Sequence, residues 1–161
     1  MLTRDVLEWL SYLVTVIGLP FAIFIFIIEQ RKERALEQDE IQQLLSDSYS
    51  NFLKVVIENS DLMLLTKAEA ADFNDEQKER ALALYDILIT IFERAYIMAY
   101  APNEKGRRGR YWLSWEDIMR EWCQRADFRA QLPKLLVGED EAFASYLANL
   151  ANKSGVPLSV S

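Results

Sequence analysis

The sequence predicts an all-α protein: one N-terminal transmembrane helix continuing into a helical stalk, then a compact four- to five-helix domain. Three observations carry that expectation. Residues 9–28, WLSYLVTVIGLPFAIFIFII, hold no charged side chain; as α-helix such a run reaches about 30 Å, the thickness of a bilayer's hydrocarbon core. Beyond residue 40 the apolar residues recur at steps of three and four, the period of a helix with one buried face. Gly and Pro number only five and four in 161 residues, too few for a turn-rich β design, and no segment carries a convincing strand pattern.

The span occupies residues 1–30. A cleavable signal peptide wants a basic start, a shorter apolar core and a small-residue cleavage site. Here Arg4 is set against Asp5 and Glu8, the core is long, and Glu29-Gln30-Arg31-Lys32 follows it directly. A buried helix of a soluble domain rarely stays apolar on every face for so many turns. Trp9 and Tyr12 suit an interfacial aromatic belt at one end of the run, and Ile28 closes the other. Gly18 and Pro20 interrupt its middle: Pro20 removes a backbone donor and predicts a mild kink, with Ser11 and Thr15 placed to repair it. Arg31, Lys32 and Arg34 outnumber Arg4 and the amino terminus, so the following domain is expected in the cytoplasm and the first residues outside. The single cysteine, Cys123, suits a reducing compartment. The net charge of −7 turns the domain as a whole away from duplex nucleic acid and from anionic lipid.

Residues 31–40 read as a charged helical stalk, since EQRKERALEQDE (29–40) is made of strong helix formers with Leu36 as its one large apolar residue. Residues 41–153 read as the helical domain. Ile41, Leu44, Leu45, Phe52, Val55 and Val56 mark its first buried face. Asn59-Ser60-Asp61 breaks that helix, with Ser60 or Asp61 capping the next short one. Asn74-Asp75 caps a long helix that ends before Pro102. Its segment 81–101, ALALYDILITIFERAYIMAYA, contains Asp86, Glu93 and Arg94. Each such charge costs roughly 2.5–3.5 kcal/mol at mid-bilayer, so a core helix is expected here rather than a second span. Asp86 and Glu93 share a face and are expected to pair with Arg120, Arg125 or Arg129.

Residues 102–110, PNEKGRRGR, read as the one flexible loop. Ser114 then opens a helix with Asp117 in the capping-box position, and Trp112, Trp115, Ile118, Met119 and Trp122 form its inward stripe. Asp127 caps a short helix that Pro133 joins or interrupts. A last helix over 139–153 points Phe143, Tyr146, Leu147 and Leu150 inward, and residues 154–161 form a tail.

Chemistry is sparse. The chain has no histidine, which removes Ser-His-Asp and Cys-His arrangements and most zinc sites. Cys123 sits among core positions and reads as a structural thiol. The carboxylate groups Glu116-Asp117-Glu121 and Glu139-Asp140-Glu141 fall at expected helix starts, where acids stabilise the dipole, rather than forming a magnesium site. No catalytic residue, metal ligand or cofactor is expected. The candidate ligand site is Lys105, Arg107, Arg108 and Arg110 with the aromatics Tyr111 and Trp112 directly after them. Clustered cations grip phosphates, amides freed by Gly106 and Gly109 add donors, and a neighbouring ring stacks a base.

Gly18-Leu19-Pro20 in the apolar run, Glu58-Asn59-Ser60-Asp61-Leu62, the set Trp112, Trp115 and Trp122, and Asp140-Glu141-Ala142-Phe143 with Tyr146-Leu147 together resemble a family of small bacterial single-span membrane proteins. Their C-terminal helical domain is a domain of unknown function. The resemblance implies a bacterial inner-membrane location and no catalytic residue. The expected function is therefore a membrane-anchored, non-enzymatic module whose cytoplasmic domain binds a membrane protein partner or self-associates. The alternative is an oligomeric membrane effector, suited to phage defence, gated by an anionic nucleotide or lipid headgroup at residues 105–110 and the Trp face.

Overall fold

The computed structural model describes the backbone of residues 2–66 and 73–154, and side chains from Pro20 onward within those ranges except Ala35. The protein is all-helical, with no strand among the described residues. Five helices follow in order: α1 (Leu2–Glu58), then a single 3-10 turn (Ser60–Leu62), α2 (Asp75–Ala99), α3 (Arg107–Trp122), α4 (Ala126–Leu135) and α5 (Glu141–Ser154). The chain divides into two compact units between Glu40 and Ile41. The tail expected at 154–161 lies outside the described residues from position 155.

α1 is unbroken by Pro20, which lies inside it. Among the described residues no helix is long and apolar enough to cross a membrane. Of the run at 9–28, only residues 20–28 have described side chains. That part rises about 13 Å as helix, less than half of a hydrocarbon core. At Trp9 and Gly18 the backbone is helical, and their side chains lie outside the described residues. Pro20 and Ile28 are both exposed.

The second unit has one core. Leu45, Phe52 and Val56 of α1 meet Leu84, Leu88 and Phe92 of α2, Trp115, Met119 and Trp122 of α3, Phe128 and Leu132 of α4, and Phe143 and Leu147 of α5. The tryptophan stripe is interior: Tyr49 of α1 meets Trp115 edge-on at 5.8 Å between ring centroids, and Phe52 meets Trp122 at 5.7 Å. The Trp122 indole N–H donates to the Tyr49 hydroxyl at 3.2 Å, so the ring is buried without orphaning its donor.

Several sequence expectations are corrected at the helix ends. α3 starts at Arg107, not Ser114, whose hydroxyl instead donates back to the Arg110 carbonyl at 3.1 Å, as mid-helix serines do. Asp61 caps nothing. It takes two bonds from Arg80, at 3.2 and 2.7 Å, and one from Gln77, tying the end of α1 to the start of α2; Arg80 holds its carboxyl below the usual range. Asn74 caps α2 as its sequence predicts, in a reciprocal capping box with Gln77. Asp140 caps α5 by accepting the Phe143 N–H at 2.9 Å, whereas Glu116 and Asp117 lie inside α3 and Glu116 pairs with Arg120.

The expected pairing of Asp86 and Glu93 with Arg120, Arg125 or Arg129 does not form. Each arginine finds a partner closer in sequence, which orders less chain. Arg129 donates to the Cys123 and Gln124 carbonyls at the end of α3. Arg125, 5% exposed, is the one buried charged residue among those described. Its Nε and one terminal nitrogen fork onto Asp127 at 3.1 and 2.6 Å, and its other nitrogen donates to the carbonyls of Met63, Leu64 and Thr66 at 3.1, 3.3 and 2.6 Å. Tyr85 of α2 donates to the same carboxylate at 2.9 Å. Asp127 was read as a cap; it is the anchor of this network. Met63 holds a left-handed φ of 48°, an unfavourable state for a residue with a side chain, in the loop that Arg125 grips.

Burial would raise the Asp127 carboxyl, but hydrogen bonds from Arg125 and Tyr85 and the Arg125 charge outweigh it, and its pKa lies below the usual value. A depressed folded pKa contributes stability above the unfolded carboxyl value of about 3.9, lost as pH falls through the folded one. Asp127→Asn should therefore flatten the acid limb of the stability profile below about pH 4, and at neutral pH cost roughly 3 kcal/mol by stranding Arg125. Denaturant titration of the chain from pH 7 to pH 2 measures both. An unchanged acid limb would remove the pair from its central place.

Glu139 shifts the other way: burial first, then a hydrogen bond with Glu93 and the charges of Glu93 and Asp86, raise its carboxyl. A raised folded pKa contributes stability that is present below about pH 4.3 and fades as pH rises through the folded value. Glu139→Gln should remove that decline, seen as a melting temperature that falls less between pH 4 and pH 7 than in the parent chain.

Candidate functional site

The cationic segment sits where α2 turns into α3. α2 closes at Tyr100, whose N–H donates to the Tyr96 carbonyl at 3.1 Å, and a turn follows with Glu104 N–H on the Ala101 carbonyl at 3.3 Å. Two glycines then start α3. Gly106 takes φ +104°, open to glycine and strained for other residues. Gly109 packs on the preceding turn so closely that a Cβ there would stand 1.8 Å from the Glu104 carbonyl oxygen. This geometry is why residues 107–110, read as loop from composition, are the first turn of a helix. The glycines signal a tight reversal rather than flexibility.

The predicted site residues are thereby divided. Lys105, Arg107, Arg108 and Arg110 are all exposed, and Arg108 pairs with Glu104 at 3.2 Å. Trp112 is 0% exposed, with its ring 4.9 Å from Tyr100 and 5.6 Å from Tyr146, so it offers no face to a ligand. Tyr111 is half-buried and donates its hydroxyl to the Gln42 carbonyl of α1 at 3.1 Å. Burial raises its pKa, with hydrogen bonds to Trp115 and Ser46 opposing. The cations form a surface, and the two aromatics fasten it to the core.

No acid lies in the first turn of α3, and Gly106 supplies no side-chain cap. Cations at the positive end of a helix dipole are unfavourable by about 0.3–1 kcal/mol each. What composition could not reveal is what surrounds the cations. Ile97, Met98 and Tyr100 at the end of α2, and Leu113 one turn after Arg110, are exposed large side chains. The sequence predicts a core helix over 81–101; its C-terminal end leaves Ile97, Met98 and Tyr100 exposed.

Elsewhere, burial pushes the Cys123 thiol up to about 12 despite the charges of Arg129 and Arg120, which leaves it protonated and unreactive at neutral pH. Among the described residues no group of three or more Cys, Asp or Glu side chains is placed to hold a metal. Two shallow grooves flank Leu82 between α2 and α4, of about 340 and 370 Å³. The Asp127 carboxylate in the first is already saturated by Arg125, Tyr85 and the Phe128 N–H.

No family model, curated protein or solved structure matches the chain. Its role is argued from its own residues.

Gly109→Ala should unwind the first turn of α3, because the 1.8 Å approach is to backbone that has no rotamer to yield. The expected outcome is a lower melting temperature and faster amide exchange at residues 107–111. Unchanged exchange there would mean that the turn tolerates the methyl group.

Proposed function

We propose that this chain is a single-pass module of the bacterial inner membrane, held by residues 9–28, with its helical domain on the cytoplasmic side binding a membrane protein or a second copy of itself. The observation that carries the reading is the surface of α1 over residues 21–28. Phe21, Ile23, Phe24, Ile25, Phe26, Ile27 and Ile28 are all exposed, Phe21 at 62%. Consecutive positions cover every face of a helix, so no single packed partner helix accounts for them. Leaving one such side chain in water forfeits about 1.5–3 kcal/mol relative to burying it, and hydrocarbon is the environment that accepts all faces at once. Arg31, Lys32 and Arg34 follow immediately, which supports the inward orientation.

The non-enzymatic part of the reading rests on chemistry. There is no histidine, and the only thiol is buried and protonated. The nucleotide-gated alternative loses its stacking platform with Trp112 in the core.

Expressed in a bacterium, the chain should stay with membranes through alkaline carbonate extraction. Ile17→Arg with Phe21→Arg, near the middle of the run, adds roughly 5–7 kcal/mol to insertion and should move it to the soluble or aggregated fraction. An impermeant maleimide should label a cysteine placed at position 3 in intact cells and leave Cys123 unlabelled. Release of the parent chain by carbonate sinks the anchor, and labelling only after lysis reverses the orientation.

A further inference from the structure

The α2–α3 end of the domain combines two features that separately mean little. Arg94, Lys105, Arg107 and Arg110 are exposed cations. The same two helix ends also expose apolar side chains, Ile97 at 64% and Leu113 at 53%, together with Met98 and Tyr100. At 100° per residue Arg94, Ile97 and Met98 share one exposed arc of α2, and Arg107, Arg110 and Leu113 lie on adjoining positions of the exposed arc of α3. The Tyr100–Trp112 and Tyr96–Trp112 ring contacts, at 4.9 and 5.9 Å, pin the two helix ends together. Further along the same arc of α3 the exposed residues turn acidic, at Asp117 and Glu121, so along α3 the basic character is confined to its first turns.

We infer that the α2–α3 end is a second membrane contact, which lays Leu113, Ile97 and Tyr100 into the interface of an anionic bilayer while the surrounding cations meet lipid phosphates. The inference rests on the tethered reading above and adds a lipid preference to it. Charge complementarity selects the occupant: the chain carries −7 overall, yet this end is basic and apolar together, the combination that anionic lipid surfaces hold. A tyrosine at such a boundary keeps its ring in the apolar layer and its hydroxyl in water. Whole-chain charge, which argues against anionic lipid, averages over faces that never meet the bilayer.

The test uses the full chain with Leu113→Cys labelled by the polarity-sensitive dye NBD; Cys123, buried and protonated, stays silent. The labelled chain is placed in nanodiscs of phosphatidylcholine, alone or with about one quarter phosphatidylglycerol. The expected result is a blue shift and a roughly twofold rise in emission only with the anionic lipid. Both should be reversed by about 0.5 M salt, which shortens the screening length, and by Lys105→Glu with Arg110→Glu. A dye at Gln124→Cys, past the other end of α3, should not respond. Equal spectra in the two lipids, with the chain still floating on neutral vesicles, overturn this inference and leave the tether standing. A chain that floats only with anionic vesicles, with the shift intact, supports this contact and sinks the tether. A shift that follows the number of chains per disc, not the lipid, gives the face to a second copy and also overturns the inference.

Discussion

The second unit is organised around the Arg125 guanidinium. A buried arginine is costly unless every donor is matched, and here the matches come from three separate stretches of chain: the carboxylate of Asp127 at the start of α4, the carbonyls of residues 63–66 after α1, and, through that carboxylate, the Tyr85 hydroxyl of α2. Side-chain packing alone would leave the loop after α1 free to slide. The arginine fixes it, because its fork accepts one arrangement of oxygens. The left-handed Met63 is tolerated in that loop because its carbonyl is held from two sides, by Arg125 and by the Thr66 hydroxyl. The aromatic layer of Tyr49, Phe52, Trp115 and Trp122 can then pack α1 against α3 as one rigid face.

The opposite end of the domain obeys different rules. At the α2–α3 turn the local choices disagree: cations sit at the positive end of a helix, no acid or hydroxyl caps it, and large apolar side chains stand in water. Natural sequences are locally consistent where folding is all that selection sees, so a conflict between charge and helix dipole at this turn points to a requirement from outside the fold. The glycines support this view. Gly109 brings the Glu104 backbone onto the first turn, and that close approach is what makes the cations a fixed surface and not a mobile loop.

Much of the fold was legible in the sequence, and the residues show why. Helices with one clear apolar face, such as 41–58 and 141–154, and the capped start at Asn74 follow from period and cap chemistry. The starts of α3 and α4 did not, since Gly106, Gly109 and Asp127 take their meaning from chain segments they touch only after folding. The charged residues were hardest. Pattern reasoning paired Asp86 and Glu93 with distant arginines, while each arginine settled on carboxylates or carbonyls within a few residues of itself, with only the 63–66 carbonyls far away in sequence. At the candidate site the cations were legible as a group because four fall within six positions. Their apolar neighbours were not, because Ile97 and Met98 belong to a helix whose composition suits burial on all sides.

The proposed contact sets an acidic domain beside an anionic membrane, and the energetics reconcile the two. Lys or Arg near such a surface gains about 1 kcal/mol, fading within a Debye length of roughly 8 Å. The basic end, with Arg108 paired to Glu104, therefore has only a few kcal/mol to offer, too little to hold on lipid a free domain whose residues 41–161 carry 14 cations against 18 anions, net −4. A tether changes the comparison. Joined to the proposed span, the domain would meet the surface at an effective concentration in the millimolar range, and a few kcal/mol would then suffice to choose which end faces the lipid. The carboxylates far from that end are screened from the bilayer and supply only a weak repulsion that disfavours the other orientations. On the proposed reading the uncharged run at 9–28 would localise the protein and the basic apolar end would choose which part of the domain meets lipid.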